Sequence, residues 1–387
     1  MTLSLRTLAF LIVLSLFLIS VQARAAAVDN PRPIPIKQGL QRIKLPPGFT
    51  IDLYAERVPG ARSMTLSPSG ILYVGTFTEW GKNPSEKVYA LRDADGDGRA
   101  EELVTIVSGL DHPNGVAWHN GDLYVAEISR ILRFRDMDKH LHNPPAPEVV
   151  GAPFPKDFHH GWKFIGFSPD GKLYVPVGAP CNICEPGEQY ASIWRMNPDG
   201  SGREVFARGI RNSVGFDWHP VTGEMWFTDN GRDEMGDNLP PEELNRAPTA
   251  GLHFGYPYRY GKSLVDPTFK TPLTDKDFTP AALEMPAHRA ALGIRFYTGK
   301  QFPIEYHQQI FIAHHGSWNR AKPDGYRVSL ARLIGNDVIS YEDFATGWLE
   351  GDHYWGRPVD MEILPDGSLL VSDDFAGVIY RIRYTGK

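Results

Sequence analysis

Six segments of the chain share one pattern of polar and apolar positions: SPSGILYVG (67–75), HNGDLYVAE (119–127), SPDGKLYVPVG (168–178), HPVTGEMWFTD (219–229), HQQIFIAHHG (307–316) and LPDGSLLVSDD (364–374). In five of them a polar turn runs into an apolar or aromatic strand; the fifth keeps the strand behind a polar lead-in. A strand precedes many of the turns, as in SMTLSPSG and VDMEILPDG. Another follows the core strand, as in RILRFRD and VIYRIRY, where apolar and polar residues alternate as in strands buried on one face. Most repeats lie about 50 residues apart, a period typical of units too small to bury their own apolar faces. The pattern predicts an all-β fold, a six-bladed β-propeller over residues 48–387. Phe49 to Tyr54 reads as the first strand. Val378 to Tyr384 reads as a last strand that closes the ring on N-terminal residues of the first blade, because closure removes exposed edges.

The spacing breaks once. Between the fourth and fifth repeats the interval grows to about 85 residues, and the extra segment, roughly 231–290, is a candidate for building a site because long insertions in compact domains are usually functional. Residues 26–47 are Pro-rich and read as an extended lead-in. The first 25 residues read as a signal peptide: Arg6, a 14-residue apolar run from Leu8 to Val21, then Ala23-Arg24-Ala25. That run is short for a membrane span, and no later segment is longer, so the mature chain is expected to carry no membrane span and to be exported, periplasmic or secreted.

Charge narrows the partners. The formal net charge is −6, and loss of Arg6 and Arg24 with the signal would make it more negative. An acidic chain lacks the electrostatic footprint for nucleic acid. The two cysteines form CNIC, Cys181 and Cys184. Haem attachment needs His next, but position 185 is Glu. A zinc site would need a second ligand pair. A local disulfide in an oxidising compartment remains, with a redox dithiol as the alternative.

Candidate chemistry gathers at the ends of the repeats. Asp93, Asp95 and Asp97, with Gly98, resemble the start of a calcium loop; Val104 stands where an EF-hand has its Glu, so a complete EF-hand is excluded, and Glu101 or Glu102 could supply a later ligand. Bare Asp-Gly turns are the alternative. His159-His160-Gly161 precedes the third repeat and could present an imidazole able to accept a proton near neutral pH; a hydrogen-bonded structural pair is the alternative. Arg211-Asn212 before the fourth repeat offers a planar cationic fork beside an amide. Asn230-Gly231-Arg232-Asp233 follows that repeat, His314-His315-Gly316 and Arg320 follow the fifth, and Arg357 precedes the sixth. Their shared position in the repeat places these groups on one rim.

In this order the motifs resemble the soluble quinoprotein sugar dehydrogenases, the glucose/sorbosone dehydrogenase family, most closely its L-sorbosone dehydrogenase-like branch. The motifs are H-x-G-x-K-F before SPDGKLYV, GIRNSVGF, DNGRDE followed by ELN and GLHFGYP, and GRPVDMEILPDG. The resemblance implies pyrroloquinoline quinone (PQQ), a planar tricarboxylate, and Ca²⁺ on the axial face. It implies His159 as general base, Arg211, Asn212 and Arg357 as cofactor contacts, and the backbone carbonyls of Gly231 and Arg232 as cation ligands. His112 falls where the glucose enzymes place a glutamine, and Arg320 aligns loosely as a partner for a carboxylate. The implied reaction oxidises an aldose or a sugar aldehyde such as sorbosone, and electrons pass to a separate acceptor because no haem site is present.

The chain departs from the pattern at three places. Trp162 replaces the second glycine of H-x-G-G, Arg232 replaces the proline of the cation loop, and CNIC replaces polar strand-end residues. A calcium-dependent six-bladed lactonase and a non-catalytic binding propeller are the competing readings. An axial set rich in Arg and His favours an anionic cofactor over both.

Overall fold

The computed structural model describes residues 30–78 and 86–386. The expected signal peptide, 1–25, lies outside them. Among the described residues, six main sheets form the blades of a β-propeller. Blade one pairs Ala61–Leu66, Ile71–Thr76, Glu86–Arg92 and Glu102–Leu110 in sequence order. Blades two to five repeat that order. Among the described residues, no helix is long and apolar enough to cross a membrane.

The repeated turn has a local cause. In blades one, three and six the N–H of the turn glycine (Gly70, Gly171, Gly367) donates to the carbonyl of Ser67, Ser168 and Leu364, at 3.0, 2.8 and 2.8 Å. These glycines have φ of 85°, 80° and 87°, a left-handed conformation that glycine adopts without a Cβ penalty. The fifth repeat lacks this turn; a 3-10 turn, Ile304–Tyr306, leads into its strand Ile310–His314. Phe302 and Tyr306 of this lead-in join Phe311 of the strand in an aromatic cluster that anchors it to the core.

Ring closure differs from the expectation in one respect. Phe49–Glu56 does pair antiparallel with Val378–Tyr384, from Phe49 opposite Tyr384 to Glu56 opposite Val378. This N-terminal strand is the outermost strand of the sixth blade, not part of the first. The two chain ends therefore build one sheet, and its backbone hydrogen bonds hold the ring shut. The lead-in contains one helical turn, Ile36–Leu40, seated where a Cβ on Gly39 would come within 2.5 Å of the Trp355 ring.

The core lies between blades. Ile71, Tyr73 and Val88 of blade one pack with Val116, Leu123, Val125 and Leu132 of blade two. The long interval after the fourth repeat contains the outer two strands of blade four, Glu242–Ala247 and Leu283–Met285. It also contains Leu252–His253, which adds in parallel to Glu204–Arg208 of blade three.

Candidate active site

In every blade the first strand starts at the end of the ring where the second strand finishes, because the two are antiparallel. Residues at the starts of first strands and the ends of second strands therefore meet around the axis. They line a cavity of about 970 Å³ that includes His159, Arg211, Asn212, Gly231 and Arg357. Blades three, four and six thus deliver their candidate groups to one place.

His159 sits on a turn closed by the Gly161 N–H, which donates to the Phe158 carbonyl at 2.9 Å. Gly161 is required there, since a Cβ would fall 2.2 Å from the Asp157 carbonyl oxygen. The buried Lys163 Nζ, its pKa lowered by burial to about 7, donates to the Gly161 carbonyl at 2.8 Å and pins the turn. His160 also lines the cavity, with Nδ1 2.8 Å from the Ala179 carbonyl. Burial, and then the charge of Arg211, lowers the pKa of the His159 imidazole below its ordinary value, with Asp233 opposing. His159 is therefore neutral at physiological pH and holds a lone pair for a proton.

Arg211 is positioned by its surroundings on every side. Its backbone N–H and that of Asn212 donate to the two oxygens of Asp229, at 2.8 and 2.7 Å. Its guanidinium donates to the carbonyl and side-chain oxygens of Asn182, at 2.9 and 3.0 Å, and to the Asn230 carbonyl at 3.2 Å. Asn182 lies inside the loop bracketed by Cys181 and Cys184, which are joined as a disulfide.

The opposite wall holds a charge cluster in which Arg62 and Asp374 join the rim groups His315 and Arg357. Asp374 is buried and receives Arg62 Nη1 at 2.8 Å, Arg357 Nε at 3.0 Å and His315 Nε2 at 2.9 Å. All four residues line the cavity. These partners hold the Asp374 carboxyl far below the usual carboxylate range despite burial. Burial lowers His315 to about 4, so it is neutral. Two arginines then face one carboxylate, and the wall carries a net positive charge. Asp374 ends the sixth repeat and His315 is next to last in the fifth, so the repeat position was a signal for both; Arg62 stands in no motif.

Other candidates lie outside this lining. His112 is buried behind the lining, with Nδ1 2.7 Å from Asp111 and its ring against Phe77 and Phe158. Arg320 donates to the carbonyls of Ala287, at 3.0 Å, and Asp237, and so ties two loops together outside the lining. The Arg232 side chain leaves the cavity for a buried ion pair with Asp266 at 2.9 Å. Gly231 remains in the wall; a Cβ there would meet Pro240 at 2.8 Å. Asp93, Asp95, Asp97 and Glu101 offer oxygens within 4.8 Å of one another. They follow the third strand of blade one, at the end of the propeller away from the cavity.

A family model described as "Domain of unknown function (DUF7133)" matches residues 35–383. The chain belongs to the DUF7133 family. An uncharacterized protein of Borreliella burgdorferi is 33% identical, over 88% of this chain and 91% of its own length. The fold is shared with three solved structures of lower identity. The holo PQQ domain of pyranose dehydrogenase from Coprinopsis cinerea has a TM-score of 0.73 at 18% identity, covering 88% of this chain and 97% of that one. A calcium structure of a Trichoderma reesei carbohydrate-active enzyme of family AA12 gives 0.74 at 18%, covering 94% and 99%. The PQQ-bound aldose sugar dehydrogenase of Streptomyces coelicolor gives 0.61 at 18%, covering 88% and 99%.

Proposed function

We propose that this DUF7133 protein oxidises an aldose or a sorbosone-like sugar aldehyde with PQQ and Ca²⁺, His159 acting as general base. The observation that carries this reading is the meeting of His159, Arg211 and Arg357 in one axial cavity. The names of the fold relatives, a pyranose dehydrogenase PQQ domain and a PQQ-bound aldose sugar dehydrogenase, support it.

The donor set fits a flat polycarboxylate. Arg62 and Arg357 share the single carboxylate of Asp374, which leaves positive charge for a ligand carboxylate. Phe77, Trp162 and Tyr354 give the cavity aromatic walls, and its volume lies in the range of small-molecule sites. Arg62, Arg211, Asn212 and Arg357 would hold the cofactor, and the carbonyls of Gly231 and Arg232 the cation. When bound, the quinone supplies a hydride acceptor and Ca²⁺ a Lewis acid. His159, neutral and fixed by the Phe158–Gly161 turn, would take the proton of the substrate hydroxyl at a ring nitrogen as hydride leaves the carbon that bears that hydroxyl. Trp162 narrows the space beside that base. His112 and Arg320 are given structural roles. The mature chain is exported and passes its electrons to a separate acceptor.

Reconstitution tests the reading. Purified protein mixed with PQQ and CaCl₂ is expected to acquire the visible absorbance of bound quinone and to reduce an artificial dye with a member of an aldose and sugar-aldehyde panel. Absence of quinone binding overturns it, and lactone hydrolysis without dye reduction replaces it with the lactonase.

A further inference from the structure

Glu242 opens the third strand of blade four, Glu242–Ala247. It is 2% exposed, yet it forms part of the cavity wall. One carboxylate oxygen, Oε1, accepts the Ala290 N–H at 3.3 Å. The other, Oε2, is buried without a hydrogen-bond partner among the described residues. Ionised, this oxygen has the distant pull of Arg211 but no direct partner; protonated, its O–H lacks an acceptor among the described residues. A buried polar atom left in this state in a native fold calls for an ion or water to complete it.

The neighbouring acids are provided for. Asp229 accepts the Arg211 and Asn212 N–H groups. Glu243 accepts the Gly261 N–H at 2.5 Å and the Asn245 side-chain amide at 2.9 Å. Of these three buried carboxyls only Glu242 has an oxygen left over. Asp233 and Glu234 line the same cavity. Arg211 is the charged group that opposes them, and its guanidinium is already engaged by Asn182, Asn230 and Asp233. This side of the cavity thus has a surplus of acid, in contrast to the Arg62–Arg357 side.

Backbone and carboxylate approach each other here. Gly231 lies against the Pro240–Pro241 segment that leads into Glu242, close enough that a Cβ would sit 3.0 Å from the Pro241 carbonyl oxygen. The loop after the fourth repeat and the unpaired carboxylate therefore share one wall. A hard cation such as Ca²⁺ takes both carboxylate and backbone carbonyl oxygens. We infer that Glu242 Oε2 is a side-chain ligand of a divalent cation in this cavity, and supplies the anionic charge that carbonyls alone lack. The inference rests on the calcium part of the function proposed above and adds a residue to it.

Calorimetric titration with Ca²⁺ alone tests it, on the quinone-free protein and again after saturation with PQQ. Glu242→Gln keeps an acceptor for the Ala290 N–H and removes the charge. It is expected to weaken Ca²⁺ binding at least tenfold, with Glu242→Asp between it and the wild type. A crystal soaked in CaCl₂ is expected to place the ion about 2.3–2.6 Å from a Glu242 oxygen. Unchanged affinity in Glu242→Gln, an ion elsewhere in the soaked wild type, or no Ca²⁺ binding with or without PQQ overturns the inference. Should Glu242→Gln fail to fold, the ion position in the wild-type crystal decides. Failure of PQQ itself to bind counts against the proposed function, while the quinone-free titration still judges Glu242.

Discussion

Arg62 Nη1 lies 2.8 Å from Asp374 Oδ2, although the two residues are 312 positions apart in the chain. Arg62 belongs to the first strand of blade one, and Asp374 follows the second strand of blade six. The pair bridges the first and sixth blades, and both side chains are almost fully buried, at 4% and 1% exposure. Asp374 also holds Arg357 and His315, so one carboxylate organises the basic wall of the cavity.

Asp374→Asn is expected to lower stability by about 3–5 kcal/mol, the usual cost of leaving a buried charge without its partner. Urea unfolding measures it. The same variant is expected to bind PQQ more weakly than Arg62→Lys does, because it releases three side chains rather than changing one. A loss below 1 kcal/mol would show that solvent reaches the pair.

His159→Ala removes the proton acceptor and leaves the arginines in place. Turnover is expected to fall on the order of 10²–10⁴-fold while bound-quinone absorbance persists. Steady-state dye reduction and the absorbance titration separate the two effects. Unchanged turnover would remove His159 from the mechanism.

Stability is expected to fall on acidification through the histidines. Burial, then the charges of Arg289 and Arg327, lowers His314 to about 3 in the fold, against about 6.5 in the unfolded chain. Above pH 6.5 both states are neutral and His314 has no effect. Between pH 6.5 and 3 the unfolded chain takes up a proton that the fold refuses, so stability drops by up to about 1.4 kcal/mol per pH unit. His314→Gln, which can still meet the Tyr341 hydroxyl now 2.9 Å from Nε2, is expected to flatten the profile. Unfolding at pH 7, 6 and 5 checks it.

Asn182 is enclosed by the Cys181–Cys184 bond and holds both Arg211 and the Asp233 N–H. Replacing both cysteines by serine frees this loop. The expected result is roughly tenfold weaker PQQ binding, about 1.4 kcal/mol. Treating the wild type with a reductant is expected to have the same effect. Equal affinity in the oxidised and reduced protein would show that the strand ends alone hold Asn182.

The blades were legible because their signals are local. A turn such as SPDG needs only a glycine at the left-handed position and a polar residue to cap it, and the apolar strand follows within the same ten residues. His159 and Arg357 could be placed on the rim for the same reason: each stands beside a repeat strand whose direction the turn sets. The position of the N-terminal strand in blade six was less legible, because pairing between Phe49–Glu56 and Val378–Tyr384 spans the whole chain.

The sequence by itself therefore determined the number of blades, the turns between their strands and the end of the ring on which the polar groups collect. Only the tertiary structure decided which of those groups face inward. Arg320 and Arg232 lie in the right segments, but carbonyls and Asp266 capture them first. Arg62 and Glu242 stand in no catalytic motif, yet their neighbours direct them to the cavity. The reason is physical: a side chain's orientation is set by the hydrogen-bond and charge partners that non-local packing brings to it, and those partners, like Asp374 for Arg62, come from the far end of the chain.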